Sequence, residues 1–160
     1  TGRLLDQLKA GETTSAPRRT RLAETCRVVV GRAADRRPVP TLEIRDDVEA
    51  LVAGERLEHV LHHVVRNAQD ATPEDGVVCV TLQQRGSQAV IEVTDTGRGM
   101  DAAFVRERLF KPFDTTKGAK GMGIGAFQAR EFARGAGGDV QVSSTPGSGT
   151  TFVIRLPRVE

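Results

Sequence analysis

Apolar side chains recur at the spacing of an α-helix in three segments of the chain. The pattern predicts helices over residues 21–34, 55–71 and 123–135. Thr20 can cap the first of these helices, and Pro38 follows its end. The second helix carries an apolar face formed by Leu57, Val60, Leu61, Val64, Ala68 and Ala71. A separate polar stripe, roughly 80° wide by helical geometry, carries His59, His63, Asn67 and Asp70.

Elsewhere the apolar period changes to two, which is typical of β-strands. Residues 77–83 and 89–94 alternate in this way on either side of the turn Arg85–Gln88, so they predict a hairpin. Other predicted strands cover residues 41–45, 139–143 and 151–156, with a shorter one at 50–53. The polar residues 13–19 predict either a linker or a short edge strand.

The composition indicates one globular domain, since 160 residues with 38% hydrophobic content can bury a single core. No apolar run approaches the length of about 20 residues that a membrane span needs. Thr1–Gly11 lacks the apolar stretch of a signal peptide, so we expect no export. Cys26 and Cys79 do not have the CxxC spacing of a metal site. Two cysteines are also too few for a framework of disulfides, so we expect a reducing compartment.

The charge distribution argues against a nucleic-acid partner. The net charge is only +2, but seven arginines between Pro17 and Arg37 face two acidic residues, a local excess of five positive charges. The chain has no Trp or Tyr, so this basic stretch lacks the ring faces on which bases stack. We interpret the arginines as a solvated helix face.

The polar stripe of the second helix allows two simple interpretations. It can face solvent, or His59 and His63 can bind a metal, since they stand four residues apart. The glutamate of an HExxH motif is missing, and no third ligand is indicated. A zinc site is therefore disfavoured.

A glycine cluster at residues 118–125 opens the third predicted helix. Glycines before a helix leave backbone N–H groups free to meet phosphate oxygens. A Rossmann site is excluded because no hydrophobic strand leads into the cluster, and a Walker A motif is absent. Asp95-x-Gly97-x-Gly99, taken alone, indicates only a turn.

Four segments nevertheless follow one another in a specific order: His63–Ala71, Asp95-x-Gly97-x-Gly99, Phe110–Lys117 and Gly121-x-Gly123-x-Gly125. Together they resemble the N, G1, F and G2 boxes of the catalytic ATP-binding domain of bacterial sensor histidine kinases. That domain lies within the superfamily of gyrase, Hsp90, histidine kinase and MutL ATPases. Gly147–Phe152 also resembles the family's last strand, so the resemblance covers about residues 20–157. The string Gly121–Glu131 is similar to that of sensor kinases that accompany PEP-CTERM export systems.

The resemblance implies a catalytic role for three residues of the polar stripe. Asn67 is the implied Mg²⁺ ligand, and its neutral amide oxygen suits a hard cation. Asp70 is implied to hold a metal-bound water or to orient the phosphates. His63 stands where many relatives have asparagine, which leaves its role open, although it can donate to a phosphate or a water.

The resemblance also implies the ATP contacts. Asp95 would accept the exocyclic amine of adenine, Gly97 and Gly99 would allow close approach, and Thr150 would join the same water network. Lys117 would pair with the β- and γ-phosphates. Phosphate-facing backbone is implied for the G2 segment, which comprises Gly121, Met122, Gly123, Ile124 and Gly125. Residues 101–120 would form a lid over the nucleotide that orders on binding. Phe110 and Phe113 would pack this lid against the domain, or they are ordinary core aromatics.

The fold class implied is α+β, a two-layer sandwich of the Bergerat type. It would have a mixed, mainly antiparallel sheet of about five strands with three helices on one face. Residues 1–12 would end a preceding dimerisation helix or form a linker, and residues 13–160 would form the catalytic domain.

The activity implied is that of a protein-histidine kinase. It would transfer the γ-phosphate of ATP, with Mg²⁺, to a histidine on a dimerisation domain that this chain lacks, and from there to a response regulator. The full-length protein would be a homodimer and a membrane-associated sensor, with this domain in the cytoplasm. The three histidines of the chain lie on the predicted nucleotide helix, so the chain alone should not phosphorylate itself.

Two alternatives remain open. An ATPase of the gyrase, Hsp90 or MutL kind would need a following transducer domain with a catalytic lysine, which the sequence to Glu160 does not contain. A stand-alone nucleotide-binding regulatory module is the other, and the intact set of Asn67, Asp95 and glycines argues against a version that has lost nucleotide binding.

Overall fold

The computed structural model describes residues 16–111 and 122–159. Within them lie seven strands: β1 (Arg18–Arg21), β2 (Thr41–Ile44), β3 (Glu49–Val52), β4 (Val78–Arg85), β5 (Gln88–Asp95), β6 (Asp139–Thr145) and β7 (Gly149–Val159). The helices of the described part are α1 (Leu22–Ala33), α2 (Gly54–Ala71), α3 (Ala102–Glu107) and α4 (Met122–Gly135).

The three predicted helices and the predicted hairpin are confirmed. Helices α1, α2 and α4 begin and end within one residue of the predicted bounds. β4 and β5 pair in antiparallel register, with Arg85 opposite Gln88 across the turn Gly86-Ser87. The predicted α+β class and the predicted mainly antiparallel sheet are confirmed as well.

The predicted counts of five strands and three helices are too low. β1 pairs with β3 at the edge of the sheet, which agrees with the edge strand that was one of the two predictions for residues 13–19, although its sequence Arg-Arg-Thr-Arg has no apolar alternation. α3 is the additional helix, and the Asp101 carboxylate caps it by accepting the backbone N–H of Phe104 at 3.0 Å. It occupies the start of the segment that we predicted to be a lid; residues 112–120 of that segment lie outside the described residues. The predicted boundary at residue 12 lies outside them as well.

The strand order is β1-β3-β7-β5-β4-β2, with β6 also paired to β7. β2 and β4 are parallel, and the other pairs in the described residues are antiparallel. β7 has the most partners because it pairs with β5 along its length and with β6 and β3 on its other side. This register places Thr150 directly opposite Asp95.

The core lies between the sheet and the helices. Alternate residues of the central strands face α2, among them Val80 and Leu82 of β4, Ile91 and Val93 of β5, and Ile154 of β7. Leu57, Leu61 and Val65 of α2 are fully buried against them. The apolar face predicted for this helix is therefore the one that packs, and its polar stripe lies to one side.

Among the described residues, no helix combines the length and apolar character that a membrane crossing requires.

The arginine-rich stretch is largely neutralised by partners elsewhere in the fold. Salt bridges join Arg18 to Glu55, Arg19 to Glu49, Arg21 to Asp47, Arg27 to Glu24, Arg32 to Glu58 and Arg36 to Asp70. Most of these side chains are more than half exposed, so each pair contributes little to stability. Their combined effect is to remove the local charge excess that the sequence shows.

A buried glutamine joins α2 to the end of α1. The side-chain amide of Gln69 donates to the carbonyl oxygens of Ala33, Arg36 and Pro38 at 2.8, 3.0 and 3.1 Å. Gln69 is 2% exposed, so loss of this amide would leave buried carbonyls unpaired. The contact fixes the connection between α1 and β2 against α2.

Candidate functional site

One pocket brings together residues from α2, β5, β7, α4 and the segment around α3. It encloses about 360 Å³ of space not filled by protein atoms, part of it open to solvent. Its polar lining is contributed by Asn67, Asp95 and Thr150. Its apolar lining is contributed by Val64, Ala68, Val93, Met100, Leu109, Ala126 and Phe152. Three residues predicted from motifs far apart in the sequence thus meet in one place.

Asp95 ends β5 with its carboxylate buried at the pocket wall. It is 7% exposed, and its Oδ1 accepts the backbone N–H groups of Gly97 at 2.9 Å and Thr150 at 3.3 Å. Burial raises the pKa of this carboxyl above its ordinary value, while those two hydrogen bonds and the nearby Arg98 act in the opposite direction. Because the two amides both use Oδ1, Oδ2 is left to accept a hydrogen bond from a ligand.

The turn after Asp95 requires glycine at two positions for different reasons. A Cβ on Gly97 would lie 2.3 Å from the carbonyl oxygen of Ala71, so α2 and the turn approach too closely for a side chain. Gly99 has a φ of 70°, in the left-handed region that glycine favours. The backbone N–H of Arg98 donates to that same Ala71 carbonyl at 3.0 Å. The DxGxG motif therefore packs closely against the end of α2 and connects it to the pocket.

Thr150 belongs to a small hydroxyl network beside Asp95. Its Oγ1 lies 2.8 Å from Ser144 Oγ, and Ser144 Oγ also accepts the backbone N–H of Met100 at 2.7 Å. Met100 lines the pocket, so this network connects the G1 turn to the β6–β7 hairpin. The sequence gives no local signal for Ser144, because it stands in a run of small polar residues at the end of a strand.

Asn67 and His63 lie where α2 meets the start of α4. A Cβ on Gly125 would come within 3.2 Å of Asn67 Nδ2 and 3.4 Å of His63 Nδ1. A side chain at position 125 would crowd the Asn67 amide and touch the His63 ring, so the third glycine of the G2 motif lets α4 approach this part of the polar stripe. Lys117 and Gly121 lie outside the described residues, and Met122, Gly123 and Ile124 lie in the first turn of α4.

The other members of the polar stripe lie apart from the pocket lining. Asp70 is exposed and forms a salt bridge with Arg36 at 2.7 Å. His59 packs edge-on against His63, with ring centroids 5.5 Å apart. Among the described residues, no group of three or more histidine, cysteine, aspartate or glutamate side chains is arranged to hold a metal ion. The role implied for Asp70 stays a prediction.

The apolar lining is the part of the site that sequence reasoning missed. Val64 and Ala68 were on a predicted apolar face, and Leu109 and Met100 flank predicted motifs, but apolar periodicity does not distinguish core from pocket wall. The geometry now shows a mostly apolar lining that includes the buried carboxylate of Asp95 as a hydrogen-bond acceptor. Such a lining suits an apolar ring that carries a hydrogen-bond donor.

Comparison with known families decides the family. Residues 53–160 match the family described as histidine kinase-, DNA gyrase B-, and HSP90-like ATPase. The chain belongs to this family. The matched region contains α2, both strands that meet at Asp95 and Thr150, and α4. Membership makes the chain an ATP-binding domain, in agreement with the resemblance of its four motifs.

Curated relatives include sensor proteins. The chain is 39% identical over 115 residues to the C4-dicarboxylate transport sensor protein DctB of Rhizobium meliloti (strain 1021), covering 71% of this chain and 18% of that protein. It is 39% identical over 103 residues to the sensor histidine kinase ZraS of Escherichia coli (strain K12), covering 64% of this chain and 22% of that protein. The chain thus spans about a fifth of the length of these relatives.

Solved structures support the fold. The catalytic domain of the histidine kinase ThkA superimposes with a TM-score of 0.75 at 24% identity, covering 89% of this chain and 95% of that one. Full-length ShkA in complex with AMPPNP gives a TM-score of 0.78 at 22% identity, covering 91% of this chain and 32% of that one. The Bergerat-type architecture predicted from the resemblance is therefore confirmed.

Proposed function

We propose that this chain is the catalytic domain of a sensor histidine kinase, which binds ATP with Mg²⁺ and presents the γ-phosphate to a histidine on a dimerisation domain. The observation that carries the proposal is the single pocket in which Asp95, Thr150 and Asn67 meet between apolar walls. In this proposal adenine lies beside Asp95 and the phosphates lie beside Asn67. The sensor proteins among the relatives and the AMPPNP bound by ShkA support this assignment.

The adenine end is argued from hydrogen-bonding capacity. Asp95 Oδ2 can accept the exocyclic amine, because Oδ1 already accepts two backbone amides. Val93, Met100 and Phe152 supply apolar surface for the ring. A buried carboxylate whose partner is missing costs free energy, so the site selects a ligand that donates at this point.

The phosphate end is argued from the donors available there. Asn67 offers an amide oxygen of the kind that a hard cation accepts, and the start of α4 offers backbone N–H groups. Bound Mg²⁺ would neutralise phosphate charge in a reaction that depends mainly on positioning. In this proposal Asn67 holds the ion, His63 donates to a phosphate or a water, and Lys117 pairs with the β- and γ-phosphates.

The acceptor must come from outside this chain. His59, His62 and His63 all lie on α2, the helix that carries Asn67, so none is free to approach the γ-phosphate in line. The partners we propose are therefore a two-helix dimerisation domain of the same protein and, after it, a response regulator. The assignment to sensor kinases of PEP-CTERM export systems, like the membrane association of the full-length protein, stays a prediction.

The experiment supplies radioactive γ-labelled ATP and Mg²⁺ to the chain, alone and together with a two-helix dimerisation domain that carries a phosphoacceptor histidine. We expect acid-labile label on the added domain and negligible label on the chain. Asn67→Ala should abolish the transfer. Comparable labelling of the chain on its own would show that the acceptor has been misassigned.

A further inference from the structure

Arg130 makes a contact that the nucleotide site as described does not use. It lies on α4, one helical turn after the pocket residue Ala126. The carbon of its guanidinium group is 4.5 Å from the centroid of the Phe110 ring, which is within the range of a cation–π interaction. Arg130 Nε is buried without a hydrogen bond and lies 3.8 Å from Asp139 Oδ1. The guanidinium therefore lies between the Phe110 ring and a carboxylate to which its Nε makes no hydrogen bond.

Phe110 is the neighbour of a residue that forms the pocket wall. Leu109 is 2% exposed and lines the pocket together with Ala126 of α4. Its backbone N–H donates to the Phe104 carbonyl oxygen at 3.0 Å, so it continues directly from α3. α3 is only six residues long and buries none of its own side chains completely. Contacts made after the helix must then contribute much of what holds Leu109 in place.

We propose that Arg130 is a positioning residue for nucleotide binding, because its contact with Phe110 holds Leu109 against the pocket. The geometry links two walls of the site: Ala126 on α4 forms one, and Arg130 on the same helix fixes the segment that forms the other. This inference rests on the proposed nucleotide site. Arg130 does not line the pocket, yet it would be one of the residues that determine the affinity of the pocket for nucleotide.

Arg134 provides a matched control on the same helix. Its Nε donates to Asp139 Oδ1 at 3.1 Å, so it shares the carboxylate that lies beside Arg130. Arg134→Ala therefore removes a cation from α4 and a hydrogen bond to Asp139 but leaves the contact between Arg130 and Phe110 in place. Arg130 is about a third exposed, which makes its replacement compatible with folding.

The experiment measures binding of the ATP analogue AMPPNP by calorimetry and hydrogen exchange of residues 102–111 without nucleotide. Arg130→Ala should weaken AMPPNP binding about threefold to fivefold, the range of a partly exposed cation–π contact, and should speed exchange in that segment. Arg134→Ala should change neither quantity, and Arg130→Lys should recover part of the affinity. Phe110→Ala should also weaken binding, and the double variant should lose no more than the larger single loss.

The outcomes separate this inference from the proposed function. Equal affinity of the wild-type chain and Arg130→Ala, with both binding AMPPNP, would overturn the positioning role and leave the nucleotide site standing. Equal losses for the two arginine variants would overturn it too, since the effect would then not depend on the contact with Phe110. A wild-type chain that binds no nucleotide would instead refute the proposed function, and the exchange experiment would still decide whether Arg130 orders the segment.

Discussion

The replacement of Asp95 by asparagine gives the sharpest test of the adenine assignment. An asparagine has nearly the same shape, and its carbonyl oxygen can keep the two backbone amides that Asp95 Oδ1 now accepts at 2.9 and 3.3 Å. Its NH₂ group would then replace Oδ2 and would point a donor at the exocyclic amine of adenine, which is also a donor. The change therefore removes one hydrogen bond to a charged group without disturbing the turn.

The expected loss follows from the burial of the carboxylate. Asp95 is 7% exposed, so water cannot readily replace the lost bond. A hydrogen bond to a charged group contributes about 1.5–3 kcal/mol, which corresponds to about a tenfold to 150-fold weaker affinity for ATP. Inosine triphosphate carries a carbonyl oxygen where ATP carries the amine, so the new NH₂ group can donate to it. The preference for ATP over inosine triphosphate should narrow or reverse.

The assay is calorimetric titration of both nucleotides into both proteins. Glu92→Gln is the matched control, because Glu92 lies three residues earlier on the same strand and points to the opposite face of the sheet. It should leave both affinities unchanged. If Asp95→Asn binds ATP as tightly as the wild-type chain, or keeps the same ratio between the two nucleotides, Asp95 does not recognise adenine.

Three further predictions concern the same region. Asn67→Ala should abolish the Mg²⁺-dependent part of ATP binding and leave the fold intact; equal ATP affinity with and without Mg²⁺ in both proteins would refute the metal role. Because the pKa of Asp95 is raised in the folded chain, ionisation above that raised pKa costs stability. Asp95→Asn should therefore melt at a higher temperature than the wild-type chain at neutral pH, and the difference should shrink as the pH falls through the raised pKa; a lower melting temperature at neutral pH would contradict this. Gly97→Ala should lower the melting temperature because its Cβ would lie 2.3 Å from the Ala71 carbonyl oxygen, whereas Gly31→Ala, in a helix with open space around it, should stabilise the chain by about 0.5–1 kcal/mol.

The helices could be predicted because their periodicity reports burial directly. α2 shows this best: its apolar face packs on the sheet, and its ends differ from the predicted ones by at most one residue. β1 could be predicted only as one of two alternatives, a linker or an edge strand, since its four residues are polar and its pairing with β3 depends on tertiary structure. The parallel pairing of β2 with β4 is likewise a property of the assembled sheet.

The same limit applies to the candidate site: residues within sequence motifs could be predicted, and contacts between distant parts of the chain could not. Asp95 and Thr150 could be predicted from motifs, and the register of β5 and β7 then brings them together. The salt bridge between Asp70 and Arg36 could not, because the two residues stand 34 positions apart and neither has a local signal for the other. Gln69 is a similar case: a polar residue near the end of a helix gives no sign that it will be buried beneath three carbonyl groups.

The position of β7 has a consequence for how the domain is made. It follows every other strand along the chain, yet it lies inside the sheet with β5, β6 and β3 as partners. Until residues 149–159 have been synthesised, each of these three strands lacks β7 as a partner and has an unpaired edge. Unpaired strand edges are prone to associate with other chains. The same strand brings the backbone N–H of Thr150 to Asp95, so the pocket wall at Asp95 cannot be complete before β7 joins the sheet.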